Sequence, residues 1–167
     1  MKRNRSLGIG LSLALGVAFA LATQGVSFAA AGDPDPGFGT GGAASVAVTS
    51  LNDTGNVVRR SDGSLVTIAS GGTDVSFAGV SKTGDPLTVH SVTVPGASQV
   101  NIVDAELAPN DEVVGAGYAS MNSGPEPFVV VRFKKNGLPD DSFSNDGVAV
   151  IKFPHHDSSA YGVAVLP

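Results

Sequence analysis

Residues Phe128–Phe153 read FVVVRFKKNGLPDDSFSNDGVAVIKF, and this stretch decides the fold. Its opening alternates Val129, Val131 and Phe133 with Phe128, Val130 and Arg132, so a period of two makes one face fully apolar and the other nearly so. Near-continuous apolarity of this kind predicts a strand covered on both faces. Lys135-Asn136-Gly137 then turns the chain, and Val148 to Phe153 resumes a β-prone run. Short strands joined by tight turns are the expectation, not helices.

Working outward, the second half of this stretch recurs earlier in the chain. GDPDPGFGTGGAASVAV from Gly32 matches GLPDDSFSNDGVAVIKF from Gly137 at an offset of 105 residues. Gly32, Pro34, Asp35, Phe38 and Gly42 coincide with Gly137, Pro139, Asp140, Phe143 and Gly147. A worn copy, Gly84-Asp85-Pro86, follows Gly32-Asp33-Pro34 by 52 residues, with His90 at the aromatic position. The unit is therefore about 52 residues long, and repeats of this period are the mark of stacked architectures.

Each unit reads as four strands. Val57 to Ser61 and Leu65 to Ala69 flank Asp62-Gly63, read as a two-residue hairpin turn. The next unit repeats the arrangement with Gln99 to Ala108, Pro109-Asn110-Asp111 and Val113 to Tyr118. Third strands follow at Val75 to Ser81 and Phe128 to Lys134, and fourth strands at Leu87 to Val94 and Val148 to Phe153. Ala44 to Thr49 is an earlier copy of the fourth strand. Four antiparallel strands per unit of about 50 residues describe a propeller blade, whose faces are buried by stacked neighbours. The expected fold is all-β: tandem four-stranded antiparallel blades, partially β-propeller-like, preceded by a signal-peptide helix. The divisions are 1–30, signal peptide; 31–55, turn motif and single strand of a partial repeat; 56–98, a degenerate first blade; 99–154, a second blade; and 155–167, the start of a further repeat.

The first division rests on three features. Lys2, Arg3 and Arg5 form a basic n-region, Leu7 to Leu21 an apolar h-region, and Ser27-Phe28-Ala29 and Ala29-Ala30-Ala31 two peptidase sites with small residues at −3 and −1. The segment from Leu7 to Phe28 just reaches the roughly 20 residues of a spanning helix, but Thr23, Gln24 and Gly25 break it, so a cleaved signal is the reading and an uncleaved anchor the alternative. No Cys follows it, which excludes a lipoprotein anchor. The expected address is secreted, cell-surface or periplasmic, with no membrane association after cleavage.

Beyond the n-region, seven Lys and Arg face fifteen Asp and Glu, a net charge of −8. Nucleic acid binding needs clustered cations, and the pairs Arg59-Arg60 and Lys134-Lys135 do not supply them. With no cysteines, stability must come from burial, for which about 137 residues suffice. Glycine and proline together make 32 of 167 residues and there is no Trp, a mix that suits strands and turns.

On these motifs the chain resembles the delta-60 repeat family of secreted bacterial proteins, which is regarded as β-propeller-forming. The family's pattern is a turn with Asp, then Ser-Phe-Gly-x-x-Gly, a strand, an Ala-Val-x-x-Pro-Asp-Gly hairpin and a Phe-Ala-x-x-Arg-Tyr strand. Phe128–Phe153 is the best match, GDPDPGFGTGG from Gly32 the second, and Ser61-Asp62-Gly63 and Pro109-Asn110-Asp111 stand at the hairpin. The resemblance is weak between Gly71 and Gln99. It implies fold and location, not chemistry.

Chemical motifs yield little. Gly37-Phe38-Gly39-Thr40-Gly41-Gly42 satisfies G-x-G-x-x-G, but a Pro-Asp turn precedes it and a β-prone run follows, so it reads as a turn and not a nucleotide site. Asp33 and Asp35 precede Phe38, and Asp140, Asp141 and Asp146 bracket Phe143. Clustered carboxylates on a loop are calcium ligands in principle, so Asp140, Asp141 and Asp146 are the metal candidates. Turn geometry is the leading reading, since Asp and Asn bond their own backbone. His155-His156-Asp157, with His90 as a distant third, reads as a polar loop. No G-x-S-x-G, H-E-x-x-H or cysteine nucleophile is present.

The expectation is thus a non-enzymatic repeat protein that binds or scaffolds a protein or glycan through loops such as Met121–Glu126, with no cofactor. The alternatives are a calcium-stabilised structural module and a hydrolase on a propeller scaffold. Propellers use 4 to 8 blades. Two units therefore imply a truncated reading frame, an open pair that self-associates through sheet edges, or oligomeric closure.

Overall fold

The computed structural model describes residues 32–49 and 53–166, so the signal-peptide helix expected over residues 1–30 lies outside the described residues. Among the described residues no helix is long and apolar enough to cross a membrane. The fold is all-β and consists of two antiparallel sheets. In the first, β1 (Asp53–Thr54) and β2 (Val58–Arg59) both pair with β3 (Leu65–Gly71), which pairs with β4 (Asp74–Val80), which pairs with β5 (His90–Thr93). The second runs in order β6 (Ala97–Leu107), β7 (Val113–Met121), β8 (Phe128–Phe133) and β9 (Val148–Ile151). Since β1 and β2 are two pieces of one first strand along β3, each sheet is a four-position meander.

The turns repeat as closely as the strands. In Arg60–Ser64, Ser81–Asp85 and Lys134–Leu138 the first N–H donates to the fifth carbonyl at 2.9, 2.7 and 2.8 Å. In each, the fourth residue is a glycine (Gly63, Gly84, Gly137) whose N–H returns to the first carbonyl. The first of these corrects the two-residue turn expected at Asp62-Gly63. A two-residue type I′ turn needs positive φ at both central residues. Only Gly63 has it, at 86°, so the loop takes three residues.

The 105-residue repeat also holds at the backbone. Phe38 N–H donates to Asp35 O and Gly42 N–H to Phe38 O, both at 3.0 Å; Phe143 to Asp140 and Gly147 to Phe143 do the same at 2.9 and 2.8 Å. Gly42 and Gly147 both sit at φ 87°. Beyond the turn the copies diverge. Residues 148–151 pair with β8, whereas residues 44–49, expected as a strand, enter no ladder. The difference lies in the partner: β9 forms on β8, the third strand of its own unit, and among the described residues no strand stands in that place beside residues 44–49. Val46 and Val48 lie half-buried over the first sheet instead.

The two sheets pack face to face around one core. Val66, Ile68, Val75 and Phe77 from the first meet Val100, Ile102, Val113, Val129, Val131 and Phe133 from the second, none more than 2% exposed. Each such side chain contributes about 1.5–3 kcal/mol relative to exposure. The Phe77 and Phe133 rings lie 6.1 Å apart at 46°. One polar group crosses the core: the Ile102 N–H donates to the buried Ser70 hydroxyl at 2.9 Å.

The faces used by the two sheets are not the same face. Leu65 pairs with Val80 just inside their turns, and Val113 pairs with Phe133 in the corresponding place. By that alignment Val66, Ile68, Val75 and Phe77 match Val114, Ala116, Phe128 and Val130. The first set is buried against the second sheet; of the second set only Ala116 is buried, and Val114, Phe128 and Val130 are half-exposed on the second sheet's outer side. The sheets therefore stack head to tail. This also corrects the expectation that β8 is covered on both faces, since Val129, Val131 and Phe133 are sealed while Phe128, Val130 and Arg132 are half-covered.

Candidate functional site

The carboxylates singled out from the sequence are each engaged by a different partner. Asp140, 2% exposed, accepts from Arg132 Nε at 2.5 Å, from the Ser142 N–H at 3.0 Å and from the Ser142 hydroxyl at 2.8 Å. Asp141 takes Lys134 Nζ, and Asp146 takes the Val148 N–H at 2.9 Å. Arg132 is held between Asp140 and the Phe143 ring, 4.9 Å from its centroid. The Arg, Asp and Phe of the repeat thus form one packed unit that pins the turn before β9 to β8. Asp35 plays the turn part of this role in the first copy, accepting the Gly37 N–H at 2.8 Å. Among the described residues, no three His, Cys, Asp or Glu converge as a metal site.

His155 and His156 lie in an exposed turn closed by the Phe153–His156 bridge, and the Asp157 carboxylate accepts the Glu126 N–H at 2.8 Å. His90 stands on β5, beside a cleft of about 240 Å³ lined by Arg60, Phe77, Leu87, Thr88, Lys135 and Asn136. The Met121–Glu126 loop is tied at both ends, with the Ser120 hydroxyl on Glu126 at 2.8 Å, while Asn122 to Pro125 are exposed. Its counterpart in the first sheet is only Gly72-Thr73, between the paired residues Gly71 and Asp74.

A second polar cluster was not legible in the sequence. Asp111, at the β6–β7 turn and 7% exposed, accepts the Ser61 N–H at 2.8 Å, the Ser61 hydroxyl at 2.5 Å and Lys135 Nζ at 2.8 Å. It clips the turns of both units together across 50 residues of sequence. Asn110 and Asp111 both adopt positive φ, 64° and 61°, which Asn and Asp tolerate better than other side chains. Beside the clip, the Arg60 guanidinium lies 5.9 Å from the Phe77 ring and donates to the Lys135 carbonyl.

These contacts have an acid signature. Lys135, followed by the Ser61 hydroxyl and N–H, holds the Asp111 carboxyl well below its ordinary range. For Asp140, burial pushes upward, but Ser142 and Arg132 outweigh it and the carboxyl also ends below the usual value. Lys134 depresses Asp141 in the same way. A carboxyl depressed on folding stabilises the protein fully above its unfolded pKa, and that stability is lost as pH falls through the folded pKa. The melting temperature is therefore expected to fall progressively below about pH 5. Asp111→Asn should lower it at pH 7 and flatten the acid limb; a limb unchanged in the variant would remove Asp111 from the account.

One concave surface is almost wholly apolar. Residues 44–48 and the outer face of the first sheet enclose an open cleft of about 360 Å³, lined by Phe38, Val46, Val48, Val57, Leu65 and Ala78 among others. Its lining is apolar apart from Thr54 and Thr67. Against models of protein families, curated proteins and solved structures, the chain finds no match.

Proposed function

We propose that this chain is an extracytoplasmic repeat protein of β-propeller type, with a non-enzymatic binding or scaffolding role toward a protein or glycan. The observation that carries the reading is the head-to-tail stacking of two equivalent four-stranded sheets, in which the face that the first turns to the second is turned outward by the second. Same-sense stacking of this kind is how propellers and other repeat arrays are built. The basic and apolar regions of residues 2–21 support export. The Met121–Glu126 loop supports a contact role, because it lengthens a turn that the first sheet makes with two residues, and repeat insertions map to binding loops.

Glycan and protein arrays probed with the purified chain test the reading, alongside a broad hydrolase screen. Saturable binding weakened by substitutions in Asn122 to Pro125 is the expected result. Robust hydrolysis with no array ligand would overturn it. N-terminal sequencing of the exported protein should find cleavage after Ala29 or Ala31.

The calcium-stabilised alternative is tested by melting with and without EDTA. No shift is expected, because Asp140 and Asp141 already hold Arg132 and Lys134. A fall in melting temperature restored by millimolar Ca²⁺ would establish calcium binding instead.

A further inference from the structure

The outer face of the second sheet carries an apolar stripe whose equivalent on the first sheet is covered. Where Val66, Ile68, Val75 and Phe77 are at most 2% exposed, three of their four counterparts, Val114, Phe128 and Val130, are half-exposed and only Ala116 is buried. Ile151, paired with Phe128, extends the apolar stripe, and Phe153, 50% exposed, stacks on Phe128 with ring centroids 6.1 Å apart. The charge on β8, Arg132, is held by Asp140 and Phe143, so no free cation interrupts the stripe.

Residues 157–166 show that this face receives what the first sheet's face receives. The Val100 and Ile102 N–H groups of β6 bond the first sheet at Gly72 O and Ser70 Oγ. Fifty-eight residues on, the Ser158 and Ala160 N–H groups bond the second sheet at Glu126 O and Gly117 O. Gly72 and Glu126 lie in the loops joining second to third strand, and Ser70 and Gly117 lie on the second strand itself. This segment therefore stands to the second sheet as β6 stands to the first. On β8 it reaches the Phe128 N–H through the Ser158 hydroxyl at 3.0 Å, while Val130 and Ile151 stay half-exposed and Phe153 exposed.

The complementary surface is also present. The second sheet meets the first through Val113, Gly115, Val131 and Phe133, whose counterparts in the first sheet are Leu65, Thr67, Ala78 and Val80. Those four residues line the 360 Å³ cleft. The molecule thus carries an apolar ridge on one sheet and, on the other, an apolar socket partly roofed by Phe38, Val46 and Val48, with Ala78 and Val80 buried in its floor and Val57 exposed on its rim.

We propose that the ridge of Phe128, Val130, Ile151 and Phe153 docks into the socket beneath residues 44–48 of a second copy of this chain. The inference rests on the blade reading above and replaces sheet edges with sheet faces as the route to self-association. Head-to-tail contacts of this type are heterologous, so they close into a ring or extend into a filament.

Light scattering and sedimentation velocity of the full purified chain, over about a hundred-fold range of concentration near the micromolar range, test it. Masses above the monomer that grow with concentration are expected. A monomer throughout overturns self-docking and leaves the blade reading, which rests on the stacking inside one chain and is tested by the arrays, untouched. Two substitutions at exposed positions give the direction of the contact. Phe153→Lys alters the ridge and Val57→Lys, at a residue 66% exposed on the socket rim, alters the socket. Each alone should be monomeric with an unchanged circular dichroism spectrum, and an equimolar mixture should form a one-to-one dimer, since each retains one intact surface. Assembly that survives Val57→Lys, or a mixture that stays monomeric, rejects the head-to-tail contact.

Discussion

Phe77→Ala is expected to lower the unfolding free energy by about 3–5 kcal/mol. Phe77 is 2% exposed and sits between the Phe133 ring of the second sheet and the Arg60 guanidinium of its own. Truncation loses transfer free energy, the ring–ring contact and the cation's partner, and leaves a cavity that two paired sheets cannot easily collapse. A domain of this size has only about 5–15 kcal/mol in hand, so the variant should be marginal at 37 °C. Urea denaturation followed by circular dichroism measures it. A loss under about 1 kcal/mol would mean that the two sheets do not share the core described here.

Gly117→Ala is the second large effect, and it acts through the backbone. A Cβ at Gly117 would lie 1.9 Å from the Asn101 carbonyl oxygen and 2.9 Å from Ile102 Cα. Those atoms are main chain of the neighbouring strand, where the β6–β7 register shifts between Ile102 and Asp104, so no side-chain rotation can make room. Glycine in a strand marks such a close approach. One methyl group should cost about 1–3 kcal/mol and loosen the β6–β7 pairing. Hydrogen exchange at β6 and β7 amides is the direct readout; protection equal to wild type would show that the strands are not so closely apposed.

Most of the architecture was legible because its signals are local. The alternation in Phe128–Phe133, the glycines Gly63, Gly84 and Gly137 in three of the turns and the Asp-x-Ser-Phe turn each act within a few residues, so strand positions read to within a few residues of those observed. The 105-residue match was legible because a turn's hydrogen bonds depend on its own sequence. Failures came where distant partners decide. Residues 44–49 have a strand's sequence, yet a strand needs a neighbour. Phe128 and Val130 are as apolar as Val129, yet the stacking order leaves their side half-covered. The Asp111 clip was invisible for the same reason, since nothing in Pro109-Asn110-Asp111 points to Ser61 or Lys135. The carboxylates of the repeat could be named from sequence, but their pairing with Arg132, Ser142 and Lys134 needed the fold.

One carboxylate gives the stack a property beyond its shape. Asp104 accepts from the Asn56 side chain, between β1 and β2, and at 2.9 Å from the Val163 N–H, in the segment that follows the second sheet. It also accepts the Ala105 N–H at 2.9 Å. A single side chain on β6 thus touches the first strand of the first sheet, between its two pieces, and the irregular segment that follows the second sheet. In a one-dimensional array, such nearest-neighbour terms decide whether units melt one at a time or together. Asp104 adds a polar term to the coupling that the shared core already supplies, so Asp104→Ala should leave one unfolding transition but lower its midpoint and broaden it.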